Sequence, residues 1–329
     1  MSRVATVVIE TGAKLRALEL ALKLKSSPPV ILMYHGVSVG AVPDSLRNCE
    51  GKHMDADLFA QHLRVLQRSR RVIPLSDMIA GLEQNQDMRN TVALTFDDGY
   101  ENNLLVAAPA LADFKMPATF FLATGFIGAD RCIWFDKLEI ALDRTHHTSM
   151  QLPDNGGTIP IRTHIEKRQA LGKAKKILKA KQTRSLDEEA TKLAEQLGVT
   201  EFVADGDYRF MDWNQVRQLV QAGFEVGAHT VSHPILSKIP FEAAVAEILD
   251  SKDHVRQETG QCSSTFCFPN GKMSDFSPAL KTMCQDHFKA VLTAERGTAD
   301  AGQLFELKRL SPAGVGKGEN IEWMLLRAH

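Results

Sequence analysis

The chain has 329 residues, 44% of them hydrophobic and 24% charged, which supplies a substantial core and excludes disorder and fibrous architectures. Its 39 Lys and Arg against 40 Asp and Glu leave a formal net charge of −1, so no global field recruits nucleic acid. The cysteines Cys49, Cys132, Cys262, Cys267 and Cys284 form no C-x-x-C pair, which argues against a disulfide framework or a zinc ribbon and for reduced, packed thiols.

In chain order, Val4, Val8, Leu15, Leu18 and Leu22 share one helical stripe, with Arg3, Lys14, Arg16 and Lys23 off it, until Ser26-Ser27-Pro28-Pro29 stops the helix. An amphipathic helix within 1–27 either packs on the body or lies on an anionic lipid surface. The apolar run Val30-Ile31-Leu32-Met33-Tyr34 leads into His35-Gly36 and reads as a strand buried on both faces. A helix over 57–67 and a short strand over 72–75 follow. A second buried strand, Thr91-Val92-Ala93-Leu94-Thr95-Phe96, ends abruptly in Asp97-Asp98-Gly99-Tyr100. Then come a helix over about 104–114 and a strand over 118–122. Further alternation appears at 213–222 and 224–228, at 241–259 and 265–268, and at 278–286 and 288–292. Alternating strands and helices predict a largely parallel sheet.

Between about 131 and 210 the rhythm breaks. Trp134-Phe135, a Pro/Gly loop over 153–160 and a Lys/Arg-rich helix read as an insertion without a core of its own. Residues 162–184 hold nine Lys/Arg and one acid, Glu166, which is either a solvated helix face or a basic lip for an anionic substrate or membrane surface. No stretch reaches the ~20 apolar residues of a spanning helix. The apolar run from Val4 ends at Glu10, too early for a signal peptide. The expected location is the cytoplasm, with peripheral contact at the inner face of the membrane.

Ligands of parallel α/β folds bind at the carboxyl ends of the strands. Three such ends carry proton-active or metal-capable groups: His35, Asp97-Asp98, and His229 with His233. A turn at Gly99 lets the two carboxylates converge, although Asp-Asp-Gly also makes ordinary turns and caps. His229-Thr230-Val231-Ser232-His233 puts two imidazoles four apart, on one face if the segment is a helical turn. With 11 His, such a pair arises by chance about 0.4 times, so its place at a strand end is the stronger argument. Two imidazoles and one carboxylate make an open three-ligand site for a divalent cation, with zinc favoured. The second Asp is left to take a proton from water. The chemistry predicted is metal-assisted hydrolysis of an acyl group.

Thr95-Phe96-Asp97-Asp98-Gly99-Tyr100 followed by His229-Thr230-Val231-Ser232-His233 resembles the first two motifs of the polysaccharide deacetylases, carbohydrate esterase family 4 or the NodB homology domain. Pro117 to Leu122, Phe266-Cys267-Phe268-Pro269-Asn270-Gly271, and the early Met33-Tyr34-His35-Gly36-Val37 fit in order, the last resembling a subgroup with a Tyr-His motif on the first strand. The resemblance implies an α/β fold, a distorted (β/α)7 barrel, spanning 28–329 as a single unit with the insertion at about 131–210. By motif position, Asp98, His229 and His233 hold the metal, most simply Zn2+. Asp97 is the general base, and a backbone N–H near Asn270 receives the oxyanion. Tyr100, Phe268, Pro269 and Trp134 are candidates for lining the sugar site; Trp134 and Phe135 suit either a sugar ring or the core.

Two positions depart from the family. Cys267 stands where many members carry an Arg that orients the base, and Leu307-Lys308-Arg309 replaces a Leu-x-His whose imidazole is the acid. We therefore expect His35 to supply the acid and Arg309 to tune Asp97, although His35 also suits a hydrogen bond within the barrel. The predicted activity is removal of an N-acetyl or related acyl group from an amino sugar of a bacterial envelope glycan, or from its intracellular lipid-linked or nucleotide-linked precursor. The competing reading is a sugar-binding protein that keeps the barrel without turnover. Phosphoryl transfer through Asp97 is weaker, because no phosphate-cradling glycine loop accompanies the pair.

Overall fold

The computed structural model describes residues 18, 21, 22, 24–40, 45–181, 185–202, 204, 206–312 and 321–328. Most of the amphipathic stripe expected within 1–27 lies outside them. Among the described residues, no helix is long and apolar enough to cross a membrane.

The strands are β1 (Val30–Tyr34), β2 (Gly36–Ser38), β3 (His53–Asp55), β4 (Arg71–Val72), β5 (Thr91–Phe96), β6 (Thr119–Leu122), β7 (Ser149–Gln151), β8 (Thr158–Pro160), β9 (Glu225–Ala228), β10 (Thr265–Cys267), β11 (Ala290–Arg296) and β12 (Leu307–Arg309). Parallel pairing runs β1-β5-β6-β9-β10-β11-β12, with β4 beside β5. Leu310 then returns to the first strand, donating to Ile31 O and accepting from Met33 N, both at 2.9 Å. The result is a nearly closed, deacetylase-type (β/α)7 barrel. Its thin seams lie between β9 and β10, which share the single registered pair Phe266 and Ala228, and at the return to β1, joined by the single bridge between Leu32 and Leu310.

Strand residues alternate between two apolar environments. Val30, Leu32, Val92, Leu94, Phe96 and Phe120 face the surrounding helices. Ile31, Ala93, Phe121, Cys267, Leu292 and Leu307 form a separate interior cluster. Both faces are covered, so the strands read as unbroken apolar runs, and each buried large side chain contributes about 1.5–3 kcal/mol. Gly227 belongs to this interior. A Cβ there would stand 2.5 Å from the Phe121 ring, so glycine is what lets the phenyl fill the axis.

Some elements differ from expectation. The helix over 104–114 is split into a π-helical Asn103–Ala107 and an α-helical Ala108–Asp113, because Pro109 has no N–H to continue the α pattern. The strand over 72–75 stops at Val72, since Pro74 opens the helix Leu75–Glu83. The last expected strand starts at Ala290 and runs on to Arg296, where it pairs with Arg309. The parallel pair β2-β3 carried no sequence signal.

Between β6 and β9 lie the helices Trp134–Arg144, His164–Ala180 and Leu186–Gln196. The loop expected over 153–160 is the turn and second strand of the antiparallel hairpin β7-β8. Within the basic run, Glu166 closes a capping box with Thr163. Leu138, Leu142, Leu171 and Leu193 cluster with Tyr100, Ala123, Phe126 and Phe210 from the barrel side, so this core is shared across the junction.

Candidate active site

Interior positions turn polar toward the carboxyl ends of the strands, where a cavity of ≈ 340 Å³ opens. Asp97 follows β5, with its N–H bonded to Tyr34 O at 2.9 Å and its C=O accepting from Gly99 N at 3.0 Å. This tight turn needs positive φ at Asp98 (75°) and Gly99 (95°), and only the second is free of cost.

His229 and His233 are not on a helical turn, contrary to expectation. His229 directly follows β9, and Thr230 and His233 both adopt left-handed φ, 66° and 55°. For the β-branched Thr230 this costs about 1–3 kcal/mol. Side chains hold the loop in place: the Thr230 hydroxyl accepts from His233 N at 3.1 Å, and Glu247 accepts from the N–H groups of Val231 and Ser232 at 2.8 Å. The loop does what a helical turn was expected to do. His229 Nε2 and His233 Nε2 lie 3.5 and 3.3 Å from an Asp98 oxygen.

Donor chemistry argues for a cation at this point. Asp98 is 1% exposed, and neither of its oxygens has a hydrogen-bond partner. A buried carboxylate without donors is costly unless a positive charge meets it. The His229 Nδ1–H donates to Cys267 O at 2.7 Å, which directs its Nε2 lone pair toward Asp98. Burial alone would raise the Asp98 carboxyl, but the two imidazoles hold it well below the ordinary range. Asp98, His229 and His233 thus fit a divalent cation. Asp97, His229 and Cys267 also lie close enough to share an ion. That set is less suitable, because Arg309 already occupies both Asp97 oxygens and burial keeps Cys267 a thiol.

Arg309 reaches Asp97 from β12. Its Nη1 and Nη2 donate to the two carboxylate oxygens at 2.8 and 2.7 Å, Nη1 also bonds Thr95 Oγ1, and Nε donates to Thr293 O at 2.8 Å. Its Nη2 is 3.0 Å from Cys267 Sγ, so the small thiol leaves room for the guanidinium. Burial would raise the Asp97 carboxyl, yet Arg309 holds it below the ordinary value. His35 lines the same cavity with Nδ1 unpartnered. Its burial lowers the imidazole pKa against the opposing pull of Asp98 and Asp97. Asn270, at φ 57°, and Phe268 also face the cavity.

The other candidates lie elsewhere. Tyr100 is fully buried, stacks on Phe210 and donates to Asp136 at 2.7 Å. Trp134 is buried in the insertion core, and its neighbour Phe135 faces the cavity instead. Pro269 supports the turn by accepting from Gly271 N and is not among the lining residues.

A second set of lining residues carried no motif: Glu50 and Lys52 before β3, and Glu139, Lys175 and Lys179 on the insertion helices. Lys52 pairs with Asp136, donates to Tyr100 Oη at 2.8 Å and sits 4.6–4.9 Å from the ring centres of Phe135, Tyr100 and Tyr208. Burial raises Asp136 to about 6, against the pull of Lys52. Lys175 bonds Glu139 at 2.8 Å and Glu50 at 2.9 Å, and Tyr208 donates to Glu139 from behind. The available signal was Asp136 and Glu139, three apart on the otherwise apolar face of one helix. Of the described basic residues in 162–181, Lys175 and Lys179 reach the cavity.

A family model described as polysaccharide deacetylase matches residues 84–284, more than half of the chain. The match includes Asp97, Asp98, His229, His233 and Cys267, and leaves His35 and Arg309 outside. None of the curated proteins matches the chain. Among solved structures, the fold is similar to the Streptococcus pyogenes deacetylase PplD in complex with acetate, at 19% identity and TM-score 0.60 over 92% of this chain and 99% of that one. It is also similar to IcaB from Ammonifex degensii (16%, TM-score 0.56, 86% and 91%). A de-N-acetylase from Aggregatibacter actinomycetemcomitans is a further likeness (15%, TM-score 0.51, 88% and 97%). At these identities the likeness concerns the fold.

Proposed function

The chain belongs to the polysaccharide deacetylase family, which implies deacetylation of carbohydrate, and from that premise we propose a metal-dependent hydrolase that removes an N-acetyl or related acyl group from an amino sugar. The substrate is an envelope glycan or, preferably, its lipid-linked or nucleotide-linked precursor. We take 28–329 as one barrel whose insertion at 131–210 walls the site.

One observation carries this reading: the buried Asp98 carboxylate, without donors, facing two imidazole nitrogens beside a carboxylate that Arg309 holds ionised. A divalent cation there, zinc by its nitrogen donors, would lower the pKa of water toward about 7 and polarise the acyl carbonyl. Asp97 would take the proton from the attacking water, its oxygens aimed by the two-pronged bond from Arg309. The Asn270 backbone N–H would donate to the acyl oxygen as charge develops on it. His35, neutral at rest through burial, would carry the proton to the departing amine nitrogen. Phe268 and Phe135 offer apolar surface to the sugar.

The free state of all five cysteines suits a reducing compartment such as the cytoplasm. Peripheral contact with the inner membrane face would bring a lipid-linked substrate within reach. The competing reading, a sugar-binding protein without turnover, rests on the missing family arginine. Arg309 supplies a guanidinium to Asp97, which favours the hydrolase. The test couples metal analysis to acetate or formate release from a panel of N-acyl sugars, with Asp97→Asn as the blank. Chelator-sensitive release restored by zinc supports the reading. Release that survives both chelation and Asp97→Asn overturns it.

A further inference from the structure

The cation side of the cavity is unevenly neutralised. Arg309 is matched by Asp97, Lys52 by Asp136, and Lys175 by Glu139 and Glu50. Lys179, one turn beyond Lys175 on the helix His164–Ala180, lines the same cavity and has no carboxylate within ion-pair distance among the described residues. Lys272 and Asp275, just after Asn270, lie within electrostatic reach of Lys179, and the Lys272 ammonium likewise has no ion-pair partner among the described residues. The cavity therefore presents one ammonium without an ion-pair partner, Lys179, with the Lys272 charge nearby and the Asp275 and Glu50 carboxylates within electrostatic reach. The cavity volume of ≈ 340 Å³ is near the lower end of small-ligand sites, at about 300–1,000 Å³. It has room for one sugar ring and its acyl arm, with whatever the ring carries emerging at the mouth.

We propose that the substrate is a single N-acyl amino-sugar unit bearing a phosphoryl group, and that Lys179, supported by Lys272, binds that phosphoryl group at the mouth. This rests on the deacetylase reading above and narrows its substrate class. An ammonium already paired to a carboxylate gains little from a second anion, whereas Lys179 gains a charge-assisted bond without losing one. Lys175 is committed to its acids and fixes the helix that carries Lys179. An internal residue of a neutral polymer would bring Lys179 and Lys272 no anion beyond the Asp275 and Glu50 carboxylates already in reach of Lys179.

The experiment has a turnover arm and a binding arm. Acid release is compared among one N-acetyl amino sugar as its nucleotide diphosphate, as its polyprenyl diphosphate in detergent, as its neutral methyl glycoside, and within a neutral oligosaccharide. Both diphosphates should exceed the methyl glycoside in kcat/KM, and Lys179→Gln should cut that advantage about tenfold, the size of one charge-assisted bond. Lys176→Gln, on the same helix outside the cavity, is the control. A preference for only one diphosphate tells whether the nucleotide or the lipid contributes further contacts. Equal use of the methyl glycoside, or a preference for the oligosaccharide, overturns this inference and leaves the deacetylase reading standing. Release from none of the four, and from none of the wider panel of N-acyl sugars, overturns the deacetylase reading. In the binding arm, inorganic diphosphate is titrated into metal-free protein by calorimetry. Weaker binding by about tenfold in Lys179→Gln supports the assignment independently of turnover, and unchanged binding overturns it.

Discussion

Two buried charge systems face each other across the cavity, and they are built differently. On the barrel side, Asp97 and Arg309 meet through two parallel bonds, with Arg309 on β12 and Asp97 directly after β5, and the guanidinium also bonds Thr293 O and Thr95 Oγ1. On the insertion side, Lys175 and Lys52 are flexible point charges, each held by carboxylates from the helix Trp134–Arg144 and backed by a tyrosine. A planar fork fixes direction, whereas an ammonium fixes little beyond position. The proposed base is thus rigidly aimed, whereas the proposed sugar-facing wall is held by less directional contacts.

The contrast can be broken at several points, beginning with the largest effect. Asp97→Asn removes the proposed base, so acid release should fall by about 10²–10⁴-fold, and because it leaves the buried Arg309 guanidinium without its counter-charge it should also lower stability by about 3–5 kcal/mol. Arg309→Met should reduce both activity and stability, the latter by about 3–5 kcal/mol, because it leaves a buried carboxylate unpaired. Its pH behaviour is the sharper readout. In the parent protein the depressed Asp97 pKa contributes stability above the ordinary carboxyl range, and this is lost as pH falls through the folded value. In Arg309→Met burial is opposed only by the nearby imidazoles of His229 and His35, so the folded pKa rises and the acid limb of the rate profile moves to higher pH. An unmoved limb would mean that Arg309 does not tune the base.

On the other wall, Glu139→Gln leaves Lys175 with the half-exposed Glu50 and should cost about 1–3 kcal/mol in denaturant unfolding. The Lys175 pKa is raised, its acids outweighing burial. Its contribution is therefore present below the ordinary lysine value and lost as pH rises through the folded one, a loss that should move to lower pH in the variant. Tyr208→Phe removes one bond to Glu139 and should cost about 1 kcal/mol. If Tyr208→Phe proved as damaging as Arg309→Met, the insertion wall would be as rigid as the barrel and the distinction would fail.

How far the sequence could be read follows the same division. The strands were visible because burial on both faces leaves unbroken apolar runs, and Asp97-Asp98-Gly99 stood out where one run stopped. The histidine pair was visible by spacing, but its geometry was not. Left-handed φ at Thr230 and His233 depends on Glu247, which lies on a later helix. The wall was nearly invisible. Lys175 is one lysine among nine basic residues, and its acids are 36 and 125 positions away. Tyr100 read as a candidate for the sugar site, and Trp134 suited a sugar ring or the core equally, because a shared core between barrel and insertion has no local signature.

The seam at Leu310 has a consequence for how the molecule is made. Asp97 precedes its guanidinium partner by 212 positions, and that partner is on the final strand of the ring. At about 5–20 residues per second of synthesis, a growing chain spends roughly 10–40 s with Asp97 translated and nothing to neutralise it in the barrel axis. Without β12 the barrel lacks its closing seam and Asp97 its two-pronged bond, so the same strand completes both. The ring and the charge pair at its axis then depend on one segment that is among the last to be made.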